Sequence, residues 1–272
     1  MNHDQHETNM TAKATGVPLL QRLQRFFSKT RITPMQSGVG AGLLFDPGES
    51  NPEYAIGTNE MPVQQALAEH LHPGDVFYDI GANVGFFSVI GARLVDSQGT
   101  VYAFEPVPEN AAVVRKNCEL NMLTQVKVLE MAVADNSGKG QLQLAQYSGG
   151  SALAVAAPPP DLKGLLVVDV DTIDRMVAEG QLKPPSLVKI DVEGAEMHVL
   201  RGMKETIKTY QPVILLELDD GEREPFEQKK DMCLKFLTEL DYQASILPNS
   251  YPGGNWIVEN FIGLPQNATS NA

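Results

Sequence analysis

Val76-Phe-Tyr-Asp-Ile-Gly-Ala-Asn-Val-Gly85 is the stretch on which the reading of this 272-residue chain turns. Its first five residues are a short, largely apolar run with an acid inside it, the pattern of a buried strand. Gly81 to Gly85 is a bend of small residues, and the apolar segment from Phe86 predicts a helix. Gly81 and Gly85 leave room for a ligand to approach the backbone, and a helix start carries N–H groups with no intrahelical partner. Strand, small-residue bend and helix in this order make a nucleotide-binding turn.

Two nucleotide chemistries use such a turn. A dinucleotide fingerprint, G-x-G-x-x-G, needs its third glycine for close helix–strand packing beside a pyrophosphate. Here the three positions are Gly81, Asn83 and Phe86, so a ring stands where that glycine belongs. Asp79, two residues before Gly81, would repel a pyrophosphate but attract a ligand with a cationic amino-acid end. S-adenosylmethionine is a cofactor of that kind.

Outward from this turn, strands and helices alternate. The pattern predicts strands at Val76–Ile80, Thr100–Phe104 and Val126–Ala132, with helices at Phe86–Val95 and Pro108–Leu120 between them. Alternation of this kind predicts a mostly parallel sheet with helices on both faces, right-handed crossovers, and a ligand beyond the carboxyl ends of the strands. Glu105 closes the second strand, where an acid accepts hydrogen bonds from both ribose hydroxyls, and Pro106 begins a turn that would hold it there. Asp135, past the third strand, is a candidate acceptor for the adenine N–H, although acidic turn residues also occur without any ligand.

Further on, Gly140–Ala145 reads as a short strand. Tyr147–Lys163, with Gly149-Gly-Ser151 and Pro158 to Pro160, reads as a loop, either a lid or a plain connector. Leu165–Val170 predicts a strand and Thr172–Val177 a helix. Leu187–Ile190 is a buried-looking strand ended by Asp191, and Asp191–Glu196 opens a helix expected to contain Met203; the helix dipole accounts for Glu193 and Glu196 there. His198 in that helix reads as a packed or surface histidine. Val213–Leu216 is a fifth strand with Glu217 at its end, and Asp219, Asp220, Glu222 and Glu224 read as a solvated loop. Gln228–Leu240 is an amphipathic helix, and Tyr242–Leu247 with Trp256–Leu264 a terminal strand pair.

Asp79-Ile-Gly-Ala-Asn-Val-Gly-Phe-Phe-Ser88 resembles the first motif of class I methyltransferases. With Leu187-Val-Lys-Ile-Asp-Val-Glu-Gly-Ala-Glu196 and Leu200-Arg-Gly-Met203, the chain resembles the FkbM family in particular, from about Gly57 to Leu264. The resemblance implies a Rossmann-like α/β sandwich, a mostly parallel seven-stranded sheet with an antiparallel C-terminal strand. It also implies S-adenosylmethionine as donor, S-adenosylhomocysteine as product, and O-methylation as the reaction. Carried onto this sequence, it places Asp79, Gly81, Asn83, Gly85, Ser88, Glu105, Pro106, Asp135 and Asp191 at the cofactor. Asp191 falls beside the transferred methyl, where it would orient or deprotonate the acceptor, with Glu193 and Glu217 as secondary candidates. Gly57-Thr-Asn-Glu60 matches a Gly-x-x-Glu element that precedes the core in this family, so Glu60 faces the ligand or simply caps a helix.

Composition bounds the rest. With 43% hydrophobic residues the chain can bury a large core, and its net charge of −13 is spread along the sequence without a basic block. A phosphate backbone would be repelled, which excludes nucleic acid as partner and leaves a small-molecule or sugar acceptor. No run approaches the roughly 18 apolar residues of a membrane span, and the first fifteen residues are unlike a signal peptide, so a cytoplasmic location is expected. Cys118 and Cys233 lack paired spacing and read as half-buried thiols in helices. Residues 1–16 and 266–272 are expected to be disordered tails. Residues 17–60 are read as an N-terminal helix with an irregular extension, and 61–265 as the methyltransferase domain. Val17–Ser28 is amphipathic and is read as docking on the domain or on a second subunit, giving a homo-oligomer, in preference to contact with a membrane surface.

Methyl displacement from a sulfonium needs alignment of three atoms, and a hydroxyl acceptor needs a base. The residues alone would also allow an N-methyltransferase. An acid pair such as Asp191 and Glu217 could instead hold a divalent ion, although no metal site is predicted. An NAD-dependent oxidoreductase is opposed by Phe86 and Asp79, and a non-catalytic nucleotide-binding protein would have no need of both Asp79 and Glu105.

Overall fold

In the strand Val76–Ile80, neighbouring residues point to opposite faces, and both faces are covered. Phe77 packs with Val101, Ala103, Leu187 and Leu215 on one side, Tyr78 and Ile80 with Tyr102, Phe104, Val188 and Ile190 on the other. A strand buried on both faces is apolar throughout, which is why the sequence is a continuous run there. This computed structural model describes residues 32–48, 50–145, 152–153, 162–251 and 256–266. The expectations for Val17–Ser28, for both tails and for the middle of Tyr147–Lys163 lie outside the described residues.

The described strands are β1 (Thr33–Pro34), β2 (Leu44–Phe45), β3 (Val76–Ile80), β4 (Thr100–Phe104), β5 (Val126–Leu129), β6 (Ala132–Val133), β7 (Gly138–Ala145), β8 (Ala152–Leu153), β9 (Leu162–Asp171), β10 (Leu187–Ile190), β11 (Val213–Asp220), β12 (Tyr242–Ile246) and β13 (Ile257–Pro265). The described helices are α1 (Met61–His70), α2 (Phe86–Val95), α3 (Pro108–Leu120), α4 (Ile173–Ala178), α5 (Glu196–Gly202), α6 (Lys204–Tyr210) and α7 (Arg223–Thr238). Seven strands form one sheet in the order β12-β13-β11-β10-β3-β4-β5. The β11-β10-β3-β4-β5 portion is parallel, and β13 inserts antiparallel between β11 and β12. Helices α1, α2 and α3 cover the face of Phe77, and α4 to α7 cover the face of Tyr78. The expected Rossmann-like class I sandwich is therefore the observed fold.

Several boundaries differ from the sequence reading. The third strand ends at Leu129, because Ala132–Val133 leaves the main sheet and pairs parallel with β9 in a second sheet of order β6-β9-β7-β8. That sheet has its own apolar cluster, including Leu142, Leu153, Val168 and Val170. The fifth strand runs on to Asp220, since β13 supplies partners as far as Asp220↔Ile257; Asp219 and Asp220 belong to this strand and not to a solvated loop. Trp256 Nε1 donates to Asp219 Oδ2 at 2.6 Å. The helix expected to contain Met203 is two helices, α5 and α6, with Met203 between them. Helix α7 begins five residues earlier than its apolar periodicity, at Arg223. Cys118 and Cys233 are fully buried free thiols, each pushed up to about 12 by burial.

The N-terminal extension is pinned across α3. Asn117 and Asn121 bridge to the backbone of Asp46 and Leu44 through both amide groups, and Lys116 Nζ lies 2.6 Å from Asp46 Oδ2. These bonds bring Tyr54 and Glu60 over the carboxyl ends of β3 and β10.

Candidate functional site

Beyond the carboxyl ends of β3, β4, β10 and β11 lies a cleft of about 1060 Å³, open solvent included. Its floor is the bend after β3. Gly81 has φ +87°, and a Cβ there would stand 1.7 Å from the Asp191 carbonyl oxygen. Gly85 has φ +83°, and its Cβ would press on Val114 of α3 at 2.9 Å. Both positions need glycine for the close approach of protein to protein, so the room that the sequence reading assigned to a ligand is taken by the Asp191 carbonyl and by Val114. Phe86, where a dinucleotide fingerprint has its third glycine, stacks on Tyr54 at 5.0 Å between centroids and meets Phe45 edge-on.

At one end of the cleft Glu105 follows β4. Its Oε2 accepts from the Asn83 N–H at 2.8 Å and its Oε1 from the Val107 N–H at 2.9 Å, spanning the Pro106 turn. Burial pushes this carboxyl up to about 8 against those two donors. Beside it the wall is apolar, with Val107, Met131, Val133, Leu142 and Leu153. An apolar slot ending in a carboxylate suits a flat base attached to a dihydroxy sugar.

The other end is ionic. Lys189 sits in the middle of β10, 2% exposed, with its Nζ 2.8 Å from Asp191 Oδ2 and 4.6 Å above the Phe87 ring. Register pairs Lys189 with Asp79 on β3, and the period of two places Asp191 and Glu217 on the same face. Burial alone would pull the ammonium down, but Asp191, Glu60, Glu217 and Asp79 hold it above its usual value. Glu60 starts α1 with a left-handed backbone, φ 45°. Its Oε1 accepts from Asn59 Nδ2 and from the Tyr251 hydroxyl, each at 2.8 Å. Asn260 Nδ2 donates to Glu217 Oε2 at 3.1 Å. Burial raises Glu60, Glu193 and Glu217, and neighbouring acids add to the rise in each case.

Of the residues expected at the site, Gly81, Asn83, Glu105, Pro106, Asp191, Glu193 and Glu217 line the cleft, as does Glu60. Asp79, Ser88 and Gly85 lie under its floor. Asp79 is 1% exposed, Ser88 Oγ donates to its Oδ2 at 2.5 Å, and its other oxygen has no partner; burial raises it, opposed by Lys189 and Ser88. Asp135 is not among the residues that line the cleft; its Oδ2 lies 3.0 Å from His198 Nδ1. Lys189, Tyr54 and Tyr251 were not singled out by the sequence. A signal existed for Lys189 alone, since a lysine inside an aliphatic strand has to find acids. Among the described residues, no group of three or more His, Cys, Asp or Glu has metal-holding geometry, and no helix is long and apolar enough to cross a membrane.

A family model described as the methyltransferase FkbM domain matches residues 79–244. Among curated proteins, the chain is 26% identical over 156 residues to the hexuronic acid methyltransferase AglP of Haloferax volcanii, covering 57% of this chain and 61% of that one. It is 30% identical over 162 residues to the 31-O-demethyl-FK506 methyltransferase FkbM of Streptomyces tacrolimicus, covering 50% and 62%. It is 27% identical over 199 residues to the 2-O-methyltransferase NoeI of Sinorhizobium fredii, covering 66% and 80%. The chain thus spans about three fifths of the length of the first two of these relatives.

Proposed function

Because the chain belongs to the methyltransferase FkbM family, we propose that it transfers a methyl group from S-adenosylmethionine to a hydroxyl of a small metabolite or sugar. The observation that carries this reading is the polarity of one cleft: an apolar slot closed by Glu105 at one end, and carboxylates grouped around Lys189 at the other. When bound, the donor supplies an electrophilic methyl on a positively charged sulfur. The chain's own groups fit it. Glu105 is placed to accept from the ribose hydroxyls, and the wall from Val107 to Leu153 to cover the base. Asp191, with one oxygen on Lys189, is placed to take the amino end or the acceptor hydroxyl with the other.

Asp79, hydrogen-bonded by Ser88, acts from below by adding negative charge that helps to keep Lys189 protonated. Glu193, on the cleft wall and close to Asp219, stands as a secondary acid. Alcohols are weak nucleophiles at neutral pH, so most of the rate comes from alignment and from a nearby base. Three relatives bear on the acceptor: their names describe methylation of a hexuronic acid, of a demethylated FK506 and of a 2-hydroxyl. A sugar or a polyhydroxylated metabolite is the class that they share with the polar end of this cleft.

The test is calorimetry of the purified chain with S-adenosylmethionine and with S-adenosylhomocysteine, followed by labelled-methyl transfer over a panel of neutral and acidic glycosides. Saturable heat with both, and label in an ether, are expected. Absence of any heat with either nucleoside overturns the proposal.

A further inference from the structure

Three buried carboxylate oxygens among the described residues lack a hydrogen-bond donor: Glu60 Oε2, Asp79 Oδ1 and Glu196 Oε2. Only Glu60 among these residues lines the cleft. Glu60 is 5% exposed, and Asn59 and the Tyr251 hydroxyl both hold its Oε1. Glu217, on β11, lines the same cleft, and the two carboxyls are close enough for each to act on the other's protonation. Two carboxylates in such contact cannot both be ionised, so one proton between them completes the arrangement.

The charges around the pair make the same point. Lys189 is the cation that faces it, and Lys189 already lies 2.8 Å from Asp191. The remaining neighbours are acids or phenols. Asp191 and Glu217 face Glu60, and the hydroxyls of Tyr54 and Tyr251, both raised by burial and by these acids, stay protonated. Asn260 donates to Glu217. One ammonium cannot balance Asp79, Glu60, Asp191 and Glu217 if all four are ionised, and a proton shared between Glu60 and Glu217 removes one negative charge from this wall.

We propose that Glu60 and Glu217 form a proton-sharing carboxyl pair that is the base for the acceptor hydroxyl, with Asp191 kept as the partner of Lys189. This rests on the methyl-transfer reading and adds the proton acceptor to it. As the acceptor oxygen forms its bond to the methyl carbon, the carbon–sulfur bond breaks and its electron pair stays on sulfur, leaving a neutral thioether. The hydroxyl proton passes to the ionised member of the pair, which becomes two neutral carboxyls and later returns one proton to solvent. Loss of the donor's positive charge and loss of the pair's negative charge coincide, so the net charge of the cleft does not change in this step. Glu60 lies far in sequence from the Asp191 motif, and only the folded N-terminal extension brings it to Glu217.

The experiment is infrared difference spectroscopy across a pH titration, on the full chain with S-adenosylhomocysteine bound, for wild type, Glu60→Gln and Glu217→Gln. Each wild-type-minus-variant spectrum should contain one protonated-carboxyl carbonyl band at neutral pH. Its absence from both spectra overturns the pair. Labelled-methyl transfer to a panel of neutral methyl glycosides should fall at least about tenfold in Glu60→Gln, with S-adenosylhomocysteine binding retained. Glu60→Asp should recover part of the rate. Tyr251→Phe removes a donor to Glu60 and leaves the acid in place, so the acid limb of the rate profile should move to higher pH. Unchanged turnover and an unchanged profile in these variants refute the base assignment even if the band is present. Wild-type protein that binds no nucleoside refutes methyl transfer instead, so the two failures are distinguishable.

Discussion

Replacing Lys189 with methionine tests how far the site depends on one cation. Methionine reproduces most of the aliphatic stem against Phe87, so the packing loss is small and the change is mainly electrostatic. What remains is Asp191 without its 2.8 Å partner, with Asp79, Glu60 and Glu217 on the same face. Removing one member of a buried ion pair costs about 3–5 kcal/mol, which for a domain of this size lowers Tm by roughly 6–20 °C.

The pH dependence identifies the cause. Asp79, Glu60 and Glu217 already have folded values above their unfolded ones, from burial first, and loss of the ammonium raises them further. Carboxyls raised in the folded state stabilise it fully below their unfolded value, and that stability is lost as pH rises through the folded value. The deficit of Lys189→Met should therefore be smallest below about pH 4.5 and grow as pH rises above it. Scanning calorimetry or dye-monitored melting at fixed scan rate, wild type against variant from acid to neutral pH, measures it. A Tm within about 2 °C of wild type at neutral pH, or a deficit independent of pH, refutes the electrostatic account of this wall.

Three further outcomes follow from the same geometry. Glu105, with its carboxyl at about 8, must be ionised to accept from a dihydroxy ribose, so affinity for S-adenosylhomocysteine should rise with pH up to about 8. Below that value it should weaken by about tenfold per pH unit until the bound-state value is reached, with proton release seen by calorimetry in two buffers; Glu105→Gln should flatten the dependence. Gly81→Ala forces a Cβ against the Asp191 carbonyl at a left-handed position and should cost about 2–5 kcal/mol or prevent folding. Gly74→Ala, with similar φ and open space, should cost only about 1 kcal/mol, and denaturant midpoints compare the two. Asp191→Ala should keep nucleoside binding and lose at least about tenfold in turnover, as expected for an acid that aligns the acceptor; unchanged turnover removes it from the mechanism.

Local pattern in the sequence was enough for the parallel core. Val76–Ile80, Phe86–Val95, Thr100–Phe104, Pro108–Leu120 and Leu187–Ile190 have the limits that apolar runs, glycines and prolines announce, because those signals act over a turn or a strand. The Gly81–Gly85 bend and Glu105 at the next strand end were legible for the same reason. Contacts made at long range decided the rest. Strand β11 continues to Asp220 only because β13 pairs with it, and Ala132–Val133 leaves the main sheet only because β9 takes it up. Asp79 became a buried strand neighbour of Lys189 through cross-strand register, which no single strand encodes. Glu60 meets the Tyr251 hydroxyl across 191 positions of chain and Glu217 across the sheet. Periodicity tells a side chain which face of its own element it occupies, whereas the charge it meets there depends on elements whose arrival is a property of the whole fold.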